Sequence, residues 1–201
     1  MGCDIHLFTE IKRKGTGWKN SDHWQYNHFF DPEEQDGERE MDVVPIYKSR
    51  DYVLFGILAG VRVEENEIID LPRGLPQDIC PITSKEAILW MSSAHSHSWL
   101  TLGELKDHYE RFPYVRIRGM ISPKSAANLD SGGETPQSSA GWTSPELGWI
   151  QREWQEDSPL ARLIERLDTR CRQEFWMGSH PNWMERHKND DCIRIVFWFD
   201  N

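Results

Sequence analysis

The sequence predicts an α+β fold. A single domain should hold a small, mainly antiparallel sheet in which the first and last segments pair, with helices packed on one face. Three observations carry this. Residues 3–10 alternate, with Cys3, Ile5, Leu7 and Thr9 on one side and Asp4, His6, Phe8 and Glu10 on the other. Residues 193–200 alternate again, with Ile193, Ile195, Phe197 and Phe199 forming an apolar face opposite Arg194, Val196, Trp198 and Asp200. Between them lie segments with helical start signals. A strand so near one end of the chain frays unless a partner ties it down. The 193–200 strand is that expected partner, burying Ile5 and Leu7 beside Ile195 and Phe197. The other face then gathers Asp4, His6, Arg194, Trp198 and Asp200.

In chain order, residues 12–17 read as a basic turn. Residues 18–30 are polar and aromatic. The acidic run 31–42, opening Asp-Pro, reads as a solvated loop. Ser49 or Asp51 can cap a short helix near 51–60 that Gly60 ends. It is apolar on nearly every side, so it should be central. Residues 68–71 form a brief extended piece, and Pro72-Arg73-Gly74-Leu75-Pro76 a rigid loop around one arginine. Thr83-x-x-Glu86 and Thr101-x-x-Glu104 are capping boxes for helices near 84–91 and 102–111. Between them a loop, 92–100, carries His95, His97 and Trp99. Residues 114–120 alternate as a strand. The Ser/Gly-rich stretch 122–143 reads as a mobile loop, linker or lid. Ser144-Pro145 and Ser158-Pro159 each start a helix, the second running over 159–176 with Leu160, Leu163, Ile164, Leu167 and Cys171 on its core face. Residues 178–191 form another loop, with His180, Trp183 and His187.

The chain of 201 residues is long enough to bury a core without staples, roughly 70% of its unfolded surface. A formal net charge of -10 argues against nonspecific DNA or membrane binding. Four scattered cysteines without CxxC spacing read as free thiols of a reducing cytoplasm. No long apolar run is present, so neither a membrane span nor a signal peptide is expected.

The chemistry concentrates in Asp4-x-His6 and His95-x-His97. Residues i and i+2 of a strand project to one side. Two such pairs can supply the N/O ligands of a divalent metal such as zinc or manganese, which would turn a bound water into a nucleophile. Two other readings fit the same residues. One is a metal-free acid–base site in which Asp4 orients His6. The other is a purely structural set, with His6 packed on Trp198. Arg50, Arg73 and Arg194 can hold phosphate bidentately if they converge, and otherwise make ordinary ion pairs. Trp99 and Trp198 can stack a base or fill core, and Ser98 sits among the histidines as a substrate contact.

The segments Met1-Gly2-Cys3-Asp4-Ile5-His6, Leu54 through Arg62, Pro72 through Pro76, His95-Ser96-His97-Ser98-Trp99-Leu100-Thr101 and Arg194 through Asn201 together resemble a family of uncharacterised phage and prophage proteins. The resemblance implies a phage or bacterial origin and a setting in the host cytoplasm. It brings no biochemical function with it. The expected activity is therefore a metal-assisted hydrolase of the phosphodiesterase type, with a nucleotide-type substrate and a place in countering host defence signalling. Asp4, His6, His95 and His97 would be the catalytic and metal-binding set. Arg73, Arg194, Ser98, Trp99 and Trp198 would bind substrate. The alternatives are a protein that sequesters a nucleotide signal, or an acidic protein that binds a host partner or another copy of itself.

Overall fold

The computed structural model describes residues 2–12, 15–31, 40–47, 49–62, 66–90, 92–143, 145–176 and 190–200. Most of the acidic run and the loop with His180, Trp183 and His187 lie outside these. The first and last strands pair as the alternation predicts. Strand β1 (Asp4–Lys12) runs antiparallel to β8 (Ile193–Asp200), with Ile5 opposite Phe199, Leu7 opposite Phe197 and Thr9 opposite Ile195. Strands β2 (Trp18–Asn20) and β5 (Ala94–Thr101) flank them in the order β2-β1-β8-β5, so β8 is central. The pair β3 (His23–Tyr26) and β4 (Met41–Val44) stands apart, as does the hairpin of β6 (Tyr114–Ile121) and β7 (Ile150–Asp157). The result is a single α+β domain.

One face of the four-stranded sheet carries the main core. Leu7, Ile195, Phe197 and Phe199 meet Leu54, Phe55 and Leu58 of helix α1 (Tyr52–Ala59), Leu102 and Leu105 of α3 (Leu102–Arg111), and Leu160, Leu163 and Leu167 of α5 (Leu160–Trp176). Helix α1 is buried along most of its length, as its lack of a polar face requires. Asp51 caps it by accepting from the Leu54 N–H at 3.0 Å, and Gly60 ends it at φ 67°, a left-handed conformation that favours glycine. The Thr101/Glu104 capping box opens α3 with both reciprocal bonds made. The opposite sheet face holds a smaller cluster, in which Phe8 and Trp198 pack with Ala87 of α2 (Pro81–Leu89).

Three local readings differ from the structure. Helix α2 begins earlier than the Thr83-x-x-Glu86 spacing predicts, because Pro81 takes the first helical position and the Cys80 sulfur accepts from the Thr83 N–H at 3.5 Å. The 122–143 stretch contains a helix, α4 (Pro123–Asp130), which Ser122-Pro123 opens with the same Ser-Pro signal used at 158–159. Its Ala126 packs under Trp154 of the hairpin. The 92–100 stretch is no loop but most of strand β5. None of the described helices is long and apolar enough to cross a membrane.

A buried ion pair pins β1 to β8. Arg194 and Glu10 lie opposite each other, with side chains 2% and 0% exposed, and the guanidinium donates to Glu10 Oε2 at 2.8 and 2.7 Å. Arg194 also donates to Asp78 Oδ1 at 2.7 Å and lies over the Trp18 ring at 4.0 Å. The second Glu10 oxygen accepts from the Cys80 N–H at 3.0 Å. Removing one member leaves the other charge buried and unpaired. Arg194→Ala is therefore expected to cost about 3–5 kcal/mol in urea unfolding. Lys12→Ala, which removes an exposed ammonium 4.0 Å from Asp78, should cost less than about 1 kcal/mol in the same assay.

Candidate functional site

Pairing of β1 with β8 sets Asp4 opposite Asp200 and His6 opposite Trp198 on the sheet face away from the main core. The His6 Nε2 lies 3.2 Å from Asp200 Oδ2, with the imidazole 21% exposed. A carboxylate only accepts, so the proton of a neutral His6 sits on Nε2 and Nδ1 is the free lone pair. Asp200 Oδ1 accepts from the Asp4 N–H at 3.0 Å, which fixes the carboxylate across the strand pair. Trp90, at the end of α2, lies against His6 with ring centroids 3.9 Å apart.

Asp4 does not orient His6. Its two carboxylate oxygens accept from Arg50 Nε and Nη2, and this bidentate pair holds the Asp4 carboxyl below its usual range. Gly2 makes room for the guanidinium, since a Cβ there would stand 2.8 Å from Arg50 Nη1. That Nη1 is the nitrogen Asp4 leaves unengaged.

The two histidines of His95-x-His97 do not face the same way. Ala94, His95, Ser98 and Trp99 lie opposite Asp200, Phe199, Phe197 and Val196, so Ser96 and His97 together oppose Trp198 alone. The extra residue is a β-bulge, and Ser96 carries it with φ 52°, a left-handed conformation rare outside glycine. The bulge inverts the expected i, i+2 relation. His95 stacks on Phe199 on the core side at 6.0 Å, with its Nδ1 3.0 Å from Ser96 Oγ. His97 stacks on Trp198 at 5.8 Å on the other side. Trp198 stacks with His6 at 5.9 Å and so stands between the two imidazoles.

This geometry does not fit a metal held by Asp4, His6, His95 and His97. His6 and His97 belong to strands on either side of β8, about 10 Å apart at two strand spacings, whereas metal–nitrogen bonds are about 2 Å. His95 faces the other side, and the Asp4 carboxylate is taken by Arg50. Among the described residues no group of three or more His, Cys, Asp or Glu is placed to hold an ion.

The residues expected to bind substrate are also not brought together. Arg194 is locked between Glu10 and Asp78. Arg73 pairs with Asp70 and Glu104, both at 2.7 Å, and stacks on Trp99 at 5.0 Å. Ser98 is buried opposite Phe197 and accepts from the Arg73 N–H at 3.3 Å. Trp198 is fully buried and presents no face to a ligand. The Gly74 N–H donates to the His97 carbonyl at 2.8 Å, so the Pro72–Pro76 loop serves as a brace for the bulge. What assembles is His6, Asp200, Asp4, Arg50 and Trp90. Asp200 and Arg50 could be found from alternation and from their place beside strands, but nothing marks Trp90 among ten tryptophans.

Two buried polar atoms flank the bulge without a hydrogen-bond partner among the described residues, His95 Nε2 and Trp198 Nε1. Comparison of the chain with protein-family models, curated proteins and solved structures finds no match.

Burial holds His97 below the ordinary histidine pKa, and the neighbouring His95 adds to this. The unfolded chain therefore takes up the His97 proton at a higher pH than the folded one. The associated stability is full above about 6.5, the unfolded value, and is lost as pH falls toward the lowered folded value. Asp22, pushed up to about 6 by burial, works in the opposite sense. Its folded form binds the extra proton, so its contribution grows on acidification from about 6. The His97 share is isolated by difference: His97→Gln should flatten the fall in urea midpoint between pH 7.5 and pH 5 relative to the wild type. An NMR titration should place the His97 imidazole below the ordinary histidine value of about 6.5.

Proposed function

We propose that this protein is a phage accessory enzyme of the bacterial cytoplasm that hydrolyses a nucleotide-type phosphodiester without a resident metal. The observation that carries the reading is the Asp200–His6 pair, a carboxylate fixing one nitrogen of a part-exposed imidazole. Such a pair sets the tautomer, leaves Nδ1 as a general base, and stabilises the imidazolium that forms when a proton is taken. Water would lose its proton to His6 as it attacks phosphorus. The bond to the leaving oxygen breaks, and the proton returns to that oxygen. Arg50 Nη1, which Asp4 leaves unengaged, would donate to a phosphate oxygen. Trp90 lines the other side of the imidazole.

Incubation with a panel of cyclic and linear dinucleotides in the presence of EDTA, followed by chromatography, tests this. New product peaks that persist in EDTA are expected. Rates should fall by about 10²-fold or more in His6→Ala and in Asp200→Asn, within the range for loss of a general base, with the urea midpoint of Asp200→Asn measured alongside. Recovery of bound but unchanged nucleotide would replace the hydrolase with a sequestering protein. Product formation that needs an added metal would contradict the metal-free assignment.

A further inference from the structure

The ladder between β1 and β2 is short. It pairs Glu10–Lys12 with Trp18–Asn20, and the chain then turns at Ser21 and Asp22 into β3. One backbone bond extends the ladder, from the Ser21 N–H to the Thr9 carbonyl at 2.9 Å. The Thr9 N–H donates to a side chain instead, the Asp22 carboxyl, at 3.1 Å to Oδ1 and 3.0 Å to Oδ2. A carboxyl thus stands where the next rung of the sheet would be. Asn20 holds it there. Its Nδ2 donates to Asp22 Oδ2 at 2.7 Å, and its Oδ1 accepts from the Asp22 N–H at 3.2 Å and from Trp24 Nε1 at 3.1 Å. The corner between β2 and β3 is therefore fastened to β1 through one ionisable group. The fastening bears on β4 as well, because β4 pairs with β3 and its Val43 packs against the Phe8 and Trp198 cluster.

The two protonation states of this carboxyl differ in cost. The groups that face it are the Thr9 N–H and hydroxyl from β1, the Asn20 amide from β2 and Arg170 from α5, and of these Arg170 alone is charged. Burial outweighs them and pushes the Asp22 pKa up to about 6. Protonation at Oδ1 removes the buried charge and leaves Oδ2 to accept from both the Thr9 N–H and the Asn20 amide. Thr9 Oγ1 is buried without a hydrogen-bond partner among the described residues, and its side chain lies beside the carboxyl. A hydroxyl donates or accepts, so it can serve the carboxyl in either state. The neutral form thus keeps the fastening and sheds the cost of a charge held away from water.

We propose that Asp22 is a proton-operated clamp on the β2–β3 corner, firm when its carboxyl is neutral and looser when it is charged. The sign follows from linkage. The closed corner binds the proton more tightly than the open one, in which Asp22 returns to the ordinary aspartate value of about 3.9. The closing contribution is full below that value and is lost as pH rises through about 6. The clamp uses neither His6 nor Asp200, so it stands independently of the hydrolase reading.

Hydrogen exchange of the full chain at pH 4.5 and pH 7.5 tests it, with rates converted to protection factors so that the intrinsic pH dependence drops out. The wild type is compared with Asp22→Asn, whose amide is neutral throughout. At the Thr9 and Ser21 amides the ratio of wild-type to variant protection is expected to fall by at least about tenfold from the lower pH to the higher. A carbon-13 NMR titration of the Asp22 carboxyl should have its midpoint near 6. Arg170→Gln should move that midpoint higher, because the facing cation is lost. A protection ratio that stays constant or rises with pH would overturn the proposal. So would a carboxyl midpoint at the ordinary aspartate value, or one that Arg170→Gln leaves in place or lowers.

Discussion

The pairing of β1 with β8 is the interaction on which the rest of the structure depends. It joins segments nearly two hundred positions apart and makes β8 the central strand. Residues from both strands supply the sheet wall of the main core. The register is locked twice. Apolar residues of both strands enter the core on one face, so a slip by one residue would send Leu7 and Phe197 to the wrong side. On the other face Arg194 and Glu10 meet with no exposure to speak of, and a slip would leave both charges unpaired in the interior. The same register sets His6 within reach of Asp200. The candidate site is thus a consequence of the core, not an addition to it.

A second constraint decides the site's composition. The bulge at Ser96–His97 sends His95 toward Phe199 and His97 toward Trp198. Trp198 fills the space between His6 and His97 and has no face left for a ligand. Two histidines that look paired in the sequence are therefore held on opposite faces, and two that are distant in sequence flank one buried indole. The strained φ at Ser96 persists because the surrounding pairing and the Gly74–His97 bond hold it in place. What the register brings together is the His6–Asp200 pair with Arg50 beside Asp4.

Much of this was legible from residue pattern alone. The alternation in 3–10 and 193–200 placed both strands and their inward faces. Asp51, Gly60 and the Thr101/Glu104 box marked α1 and α3 near their observed ends. The site was less legible, for definite reasons. A bulge reverses side-chain direction without a glycine or proline to announce it, so His95-x-His97 reads as a same-face pair. Arg194 looks like a free cation until its cross-strand neighbour is known to be Glu10. Asp4 and Asp200 are both candidates to orient His6, and only the position of Arg50 separates them. Ser122-Pro123 carried a helix signal that the small residues around it obscured.

Native-state hydrogen exchange on the full chain tests the central claim most directly. If the β1–β8 pair organises the molecule, amides of Leu7, Phe8, Val196 and Phe197 should be among the slowest to exchange. They should open only with global unfolding and share one free energy with the buried amides of α1 and α5. Exchange of either strand through a separate, lower-energy opening while those helices stay protected would contradict the account. The core and the site would then not rest on that pairing.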